Sequence, residues 1–544
     1  MAGFLKWSSN TRATEDDQYA SLPLNASDGD DTLRHVPVAS GPVPRWLQPS
    51  AKQARGWFYK LIPFCIAAPF GLTERKLPKV ASTTYLNGVR GLACWVVLNH
   101  HLTGEIDRPW IFRPYGVEPL AENNHFVQLP LIRAVHTGKG MVCIFFALSG
   151  FVLSYSTLRK VNSKSGLAVS DELLTSFCSS ILRRGIRLFA PMLALVFIQA
   201  FVCRYVPFVS DFDDKAPNLF QHLLNFWHQA VPVMNPFNWR TPEQLPNHFQ
   251  QCWTLGYEYR LSLAVFLMLI ATCRLRTVPR KAILVGFMAW ANYVDQRWDI
   301  ICFFGGMIVA ELRFAPLSAD IGRLIGRPDF KPNKWISTVA GVVAVLLGLM
   351  FCSWPENQPG AVYPYKAFYW ITPQIFQDSL KIAPGEGWIW YWGSIGAVLM
   401  IWGLEQLPLL QRFLAIAPIS YLGEISYSFY LFQRMARVAV GEPILKYVVK
   451  EWQWSHVPAF VLYYFSTLIW TILVSDYFWR AVDLNSVVLA RKVVVDWLGV
   501  GKKVDIAEAA YAPVPSREDM AYGGLGEGYD TSLPMTELEP KARD

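Results

Sequence analysis

Arg90 and the histidines His100 and His101 lie within one apolar stretch, Thr84 to Leu102, long enough to cross a bilayer as a helix. An arginine at the centre of a spanning helix costs roughly 2.5 to 3.5 kcal/mol on insertion scales, so an ionisable residue there is by default a functional hypothesis. Eleven steps of about 100° bring His101 back to within roughly 20° of Arg90, whereas His100 stands about 80° away. Arg90 and His101 therefore share a face, about 16 Å apart along the axis, and can line one interior cavity at different depths. The plainer alternative is an Arg90 that snorkels to the headgroups, with the histidines marking the far end of the helix.

Two further clusters carry charge into apolar surroundings. In Arg183-Arg184-Gly-Ile-Arg187-Leu-Phe-Ala-Pro191, Arg183 and Arg187 are one helical turn apart and Arg184 joins Arg187 at the i, i+3 spacing. Such a cationic face suits a polyphosphate, because arginine offers planar, bidentate donors to phosphate oxygens. In Trp253-Thr-Leu-Gly-Tyr-Glu258-Tyr-Arg260 a carboxylate opens the next apolar run. Topology sets Glu258 at about the depth of His101, where a carboxylate orients an imidazole and raises its basicity. A local Glu258–Arg260 ion pair is the structural alternative. Ser149, in the small-residue break Phe145-Phe-Ala-Leu-Ser149-Gly150-Phe, and Tyr427, in a polar-lined later segment, are candidates to face the same cavity.

The elements that must hold these residues are apolar helices. The chain has 544 residues, 52% of them hydrophobic and 22 of them Trp, with a mean hydropathy of +0.22. That composition predicts an all-α integral membrane protein. About ten transmembrane helices are expected, at 84–103, 139–158, 187–206, 255–273, 281–295, 299–312, 335–353, 387–404, 419–440 and 457–479. Basic residues collect after the second, fourth, sixth and tenth runs, which puts those connections and both termini in the cytosol. Residues 1–56 read as a disordered cytosolic arm, 57–80 as an interfacial segment, 81–480 as the transmembrane domain and 481–544 as a cytosolic tail. A plasma membrane or another membrane of the secretory pathway is the expected location.

Other classes find little support. The formal charge of +8 follows from those basic connections, and no interleaving of aromatic and basic residues marks a nucleic-acid module. Nine cysteines are spread singly with neither metal-ligand spacing nor a disulfide framework, so no metal is expected. The one sequon, Asn25-Ala-Ser27, falls in the arm and is expected to be unused.

The ordered series of motifs resembles the acyltransferase-3 family of polytopic membrane acyltransferases. Leu86-Asn87-Gly88-Val-Arg90-Gly-Leu-Ala with His101 is similar to the family's first span, and Phe145-Phe-Ala-Leu-Ser-Gly-Phe-Val to its second. Arg183-Arg184-Gly-Ile-Arg187-Leu-Phe-Ala-Pro191 is similar to the third and Trp253-Thr-Leu-Gly-Tyr-Glu258 to the fourth. Leu422-Gly423-Glu424-Ile-Ser426-Tyr427-Ser-Phe-Tyr430-Leu is similar to a late-span motif. Asn87 stands where members usually carry Asp, and Gln433 where many carry His. The polar tails, the paired histidines and the lack of a fused SGNH domain look like the fungal branch.

The resemblance implies His101 as catalytic base, and Arg90, Arg183, Arg184 and Arg187 near an acyl-CoA donor. The residue-level reading agrees: a cationic inner mouth suits the phosphates of cytosolic acyl-CoA, with acetyl-CoA the expected form. Glu258 is expected to orient His101 as it deprotonates an acceptor hydroxyl on a glycan, glycolipid or specialised metabolite. Acyl-CoA would be a co-substrate, with no bound cofactor. From another class, a proton-coupled transporter would use the same intramembrane charges as a relay.

Overall fold

A computed structural model of the chain describes residues 62–67, 81–104, 109–163, 171–206, 215–237, 245, 247–327, 332–377 and 386–500. The N-terminal arm with its sequon and the chain beyond residue 500 lie outside the described residues. Described residues form helices and connecting turns, with no strand among them.

Each of the ten apolar runs is a helix. They are α1 (Thr84–Gly104), α2 (Gly138–Asn162), α3 (Asp171–Tyr205), α4 (Trp253–Thr272) and α5 (Thr277–Asp295). Next come α6 (Trp298–Phe314), α7 (Lys334–Cys352), α8 (Gly387–Glu405), α9 (Ala417–Ala436) and α10 (His456–Phe478). Six of these, α2, α3, α4, α7, α8 and α10, are long and apolar enough to cross a membrane. A seventh qualifies if α6 and the helix Leu317–Leu324, bent 64° from it, form one span. Helices α1 and α9 fall short because they carry the polar groups of interest, Asn87, Arg90, Asn99, His100 and His101 on one, Glu424, Gln433 and Arg434 on the other. Gln296, in a left-handed conformation with φ 53°, turns the chain between α5 and α6, which are two separate helices.

Close helix crossings are made where glycine leaves the backbone bare. A Cβ on Gly150 of α2 would fall 1.9 Å from the Phe303 carbonyl oxygen of α6, and one on Gly306 of α6 would fall 2.0 Å from that of Ala147. The small-residue break at Ser149-Gly150 thus lets α2 approach α6 closely. On α9, a Cβ at Gly423 would meet the Asn87 carbonyl of α1 at 2.1 Å. The main core lies between α2, α6 and α8, with Trp298 stacked on Phe146 at 5.5 Å and on Trp390 at 4.2 Å.

Several boundaries differ from the sequence reading. Helix α3 begins at Asp171 rather than near 187, so Arg183 and Arg184 lie within it. Helix α10 continues through a π-helical turn, Trp479–Asp483, and stays helical to Trp497, beyond the expected start of the tail. Phe64, in the segment assigned to the interface, is buried, and its amide donates to both carboxylate oxygens of Asp476 at 3.1 and 3.2 Å. Asp476 also pairs with Arg480 at 2.6 Å. Two basic residues counted toward orientation are internal: Arg280 pairs with Glu311 and Lys281 with Asp320, each at 2.5 Å.

Candidate active site

Arg90 is held on the crossing of α1 and α9. Its Nη2 donates to Asn87 Oδ1 at 3.1 Å and to the Gly423 carbonyl at 3.2 Å. Asn87 Nδ2 donates in turn to Glu424 Oε1 at 3.0 Å. An asparagine performs both tasks at once, accepting from a guanidinium and donating to a carboxylate, which an ionised aspartate cannot do.

The third-helix arginines meet this site from another side. Arg184, 4% exposed, donates from Nη2 to Glu258 Oε1 at 2.6 Å and from Nε to Ser262 Oγ at 3.1 Å. Ser149 Oγ donates to the same Glu258 oxygen at 3.1 Å, so α2, α3 and α4 converge on one carboxylate. Arg187 lies within electrostatic range of Arg90, Arg183, Arg184 and Asp483. Arg90 likewise feels Glu424, Asp483 and Glu258. Arg183 is the outlier of the set, turned back so that Nε donates to the Ser179 carbonyl at 3.1 Å. Tyr427 Oη donates to the Leu188 carbonyl at 2.5 Å, in the stretch of α3 that Pro191 loosens by lacking an amide hydrogen.

The expected pair of Glu258 with His101 does not form. Glu258 spends its contacts on Arg184 and Ser149, and among the described residues it makes neither a hydrogen bond nor an ion pair with His101. Desolvated charges seek the strongest counter-charge within reach, and for Glu258 that is the guanidinium. The groups acting on His101 are His100, whose ring lies edge-on with centroids 5.5 Å apart, Arg434 in the last turn of α9 and Arg437 just past its end.

A carboxylate does approach the neighbouring histidine, and sequence reasoning missed it. His100 Nδ1 lies 3.3 Å from the His136 carbonyl and 3.8 Å from Glu356 Oε1. Glu356 Oε2 also accepts from Lys139 Nζ at 2.9 Å, and Lys139 reaches Glu386 at 2.5 Å. Glu356 is buried enough for its carboxyl to be pushed up, but His100, Lys139 and Arg133 outweigh burial and hold it below the usual carboxylate range. Only the long chain separation between Lys139, Glu356 and Glu386 hid this cluster. The π-helical turn that ends in Asp483 shifts the face it presents, so its place near Arg187 does not follow from the spacing of a regular α-helix.

In sum, Arg90, Arg184 and Arg187 come together with Glu258, Glu424 and Asp483, while His101 stands further along α1 without a carboxylate. Among the described residues no group of three or more His, Cys, Asp or Glu side chains is arranged to hold a metal. Clustered guanidinium groups can bind phosphate oxygens, and an imidazole without a carboxylate partner can still take a proton from a hydroxyl.

Comparison with known proteins agrees with the motif series. The family model described as an acyltransferase domain, that of the acyltransferase-3 family, matches residues 83–479. The chain is 27% identical over 450 residues to the O-acetyltransferase PaAT-1 of Phomopsis amygdali, covering 77% of this chain and 85% of that one. It is 25% identical over 422 residues to the acyltransferase clz18 of Cochliobolus lunatus, covering 69% and 85% of the two chains. It is 22% identical over 440 residues to the acyltransferase R4 of a Phoma species, covering 71% and 88%. No solved structure matches the chain.

Proposed function

The chain belongs to the acyltransferase-3 family, and on that premise we propose that it moves an acetyl or other short acyl group from acyl-CoA to a hydroxyl. The observation that carries this reading is that Arg187 of α3 lies within electrostatic range of both Arg184 and Arg90, the latter on α1, whose opposite end carries His101. Guanidinium groups in such a cluster pair with the phosphates of a CoA donor, and the thioester then extends along α1 toward the imidazole. His101 takes the proton of the acceptor hydroxyl as its oxygen attacks the thioester carbonyl. The carbon–sulfur bond breaks, the sulfur leaves with that proton from the imidazolium, and CoA and an ester result.

Glu258 serves this reaction through Arg184, which it neutralises and holds, rather than through His101. Ser149 supports the same carboxylate, and Tyr427 braces α3 beside Arg187. An acetyl group and an oxygen acceptor are favoured by the name of the Phomopsis relative, an O-acetyltransferase. A glycan, a glycolipid or a specialised metabolite supplies the hydroxyl. Ten spans, with both termini and the arginine cluster on the cytosolic side of a secretory-pathway or plasma membrane, give cytosolic acyl-CoA access to the site.

The test uses the full chain in detergent, as wild type and as His101→Ala. Acetyl-CoA binding is measured by calorimetry and slow CoA release by thiol titration. Binding by both forms with release by the wild type alone is the expected result. A folded wild type that binds no acyl-CoA overturns the donor assignment and favours a transporter that uses the same charges.

A further inference from the structure

Helices α1 and α9 run parallel in a register that their contacts define. Arg90 donates to the Gly423 carbonyl at 3.2 Å, and further along the Cys94 thiol donates to the Ser426 carbonyl at 3.3 Å. Leu98 and Leu102 continue the seam in one apolar cluster with Phe429. One heptad beyond Cys94 and Ser426, two turns on along each helix, stand His101 and Gln433. The charged neighbours of His101 fit this register, since Arg434 and Arg437 come from the same end of α9.

Gln433 is 1% exposed, and neither its Oε1 nor its Nε2 has a hydrogen-bond partner among the described residues. A buried amide left in that state costs about 1 to 3 kcal/mol for each unpaired group, a cost that an apolar side chain of the same shape would not carry. The His101 imidazole also makes no hydrogen bond among the described residues. Two unpaired polar side chains at one level of the same helix seam form an incomplete polar site, and a reacting group between them would complete it.

Resting on the acyl-transfer reading, we propose that Gln433 is a catalytic residue that donates from Nε2 to the thioester carbonyl oxygen. That oxygen gains negative charge as the acceptor oxygen, giving its proton to His101, bonds to the carbonyl carbon. A fixed N–H aimed at it is stronger in the transition state than in the ground state. Positive potential from Arg434 and Arg437 acts in the same direction. When the carbon–sulfur bond breaks, the charge returns to a neutral ester carbonyl and the sulfur takes the proton from His101.

The full chain in detergent is compared with Gln433→Met and Gln433→Leu, using acetyl-CoA labelled with carbon-13 at the carbonyl. The readouts are the dissociation constant, the infrared band of the bound carbonyl, the rate of CoA release and the thermal midpoint. Both variants should bind acetyl-CoA as wild type does, show the carbonyl band at higher wavenumber and melt at or above the wild-type temperature. Their CoA release should fall about 10²- to 10³-fold, the usual cost of one oxyanion donor. An unchanged band and rate in a variant that binds the donor overturns the role of Gln433 alone. A lowered midpoint with an unchanged band also overturns it, in favour of a packing role. Failure of folded wild type to bind acetyl-CoA overturns the acyl-transfer reading, and this assignment with it.

Discussion

Arg184 and Glu258 form a 2.6 Å ion pair between α3 and α4, with Arg184 4% exposed. Removing one partner of a buried pair strands the other charge, at about 3 to 5 kcal/mol, whereas replacing both with apolar residues is often neutral. Arg184→Met and Glu258→Met should each lower the thermal midpoint of the detergent-solubilised protein. The double substitution should recover most of that loss. Additive losses in the double variant would mean that the two side chains act independently.

Arg187 is the member of the cationic cluster for which no hydrogen bond to the protein is seen among the described residues, and it is therefore the one most available to a phosphate. A hydrogen bond to an ionised group contributes roughly 1.5 to 3 kcal/mol, so Arg187→Ala should raise the acetyl-CoA dissociation constant about 10- to 100-fold. The variant should also lose part of the salt dependence of binding. Calorimetry at two ionic strengths reads both effects.

Gly306 lies in the tightest crossing of α6 with α2. A Cβ there would stand 2.0 Å from the Ala147 carbonyl oxygen and 2.8 Å from the Phe151 amide nitrogen, both backbone atoms. Gly306→Ala must therefore push the helices apart, and overpacking of this kind costs typically about 1 to 3 kcal/mol or more. Reduced yield of folded protein and a lower thermal midpoint are expected. Gly286, which has open space around it, is the matched control, and Gly286→Ala should leave both unchanged.

His136 is a pH-sensitive element of the connection between α1 and α2. Burial and the nearby Arg133 guanidinium bring its imidazole down to about 4. Its Nε2 lies 3.1 Å from the Val127 carbonyl, which requires the proton on that nitrogen in the neutral ring. An unfolded chain protonates this histidine near pH 6.5 while the folded chain resists, so its contribution is full above pH 6.5 and is lost as pH falls toward 4. The loss accumulates to on the order of 2 to 3 kcal/mol. Thermal midpoints of wild type should drop across this window, and His136→Gln should flatten the drop.

The helices were legible because apolar run length and the 3.6-residue period do not depend on what the helix packs against. Arg90, Arg184, Arg187 and Glu258 were likewise visible, since a charge within an apolar run stands out whatever its partner. The partner itself was not visible. Glu258 was matched to His101 by estimated depth alone, and depth does not decide between an imidazole and a guanidinium on a neighbouring helix. Arg280 and Lys281 resembled loop charges for the same reason, because Glu311 and Asp320 lie far along the chain.

By itself, then, the sequence determined a helical membrane protein of the acyltransferase-3 family, with its charged residues set in apolar helices at defined spacing. Only the tertiary structure decided which charges neutralise one another, that Asn87 links Arg90 to Glu424, and that the α1–α9 register brings Gln433 to the level of His101. The physical reason is that composition and periodicity act along one chain segment. Ion pairing and glycine-mediated approach depend on groups brought together from different helices, as with Arg184 and Glu258 or Gly423 and Asn87.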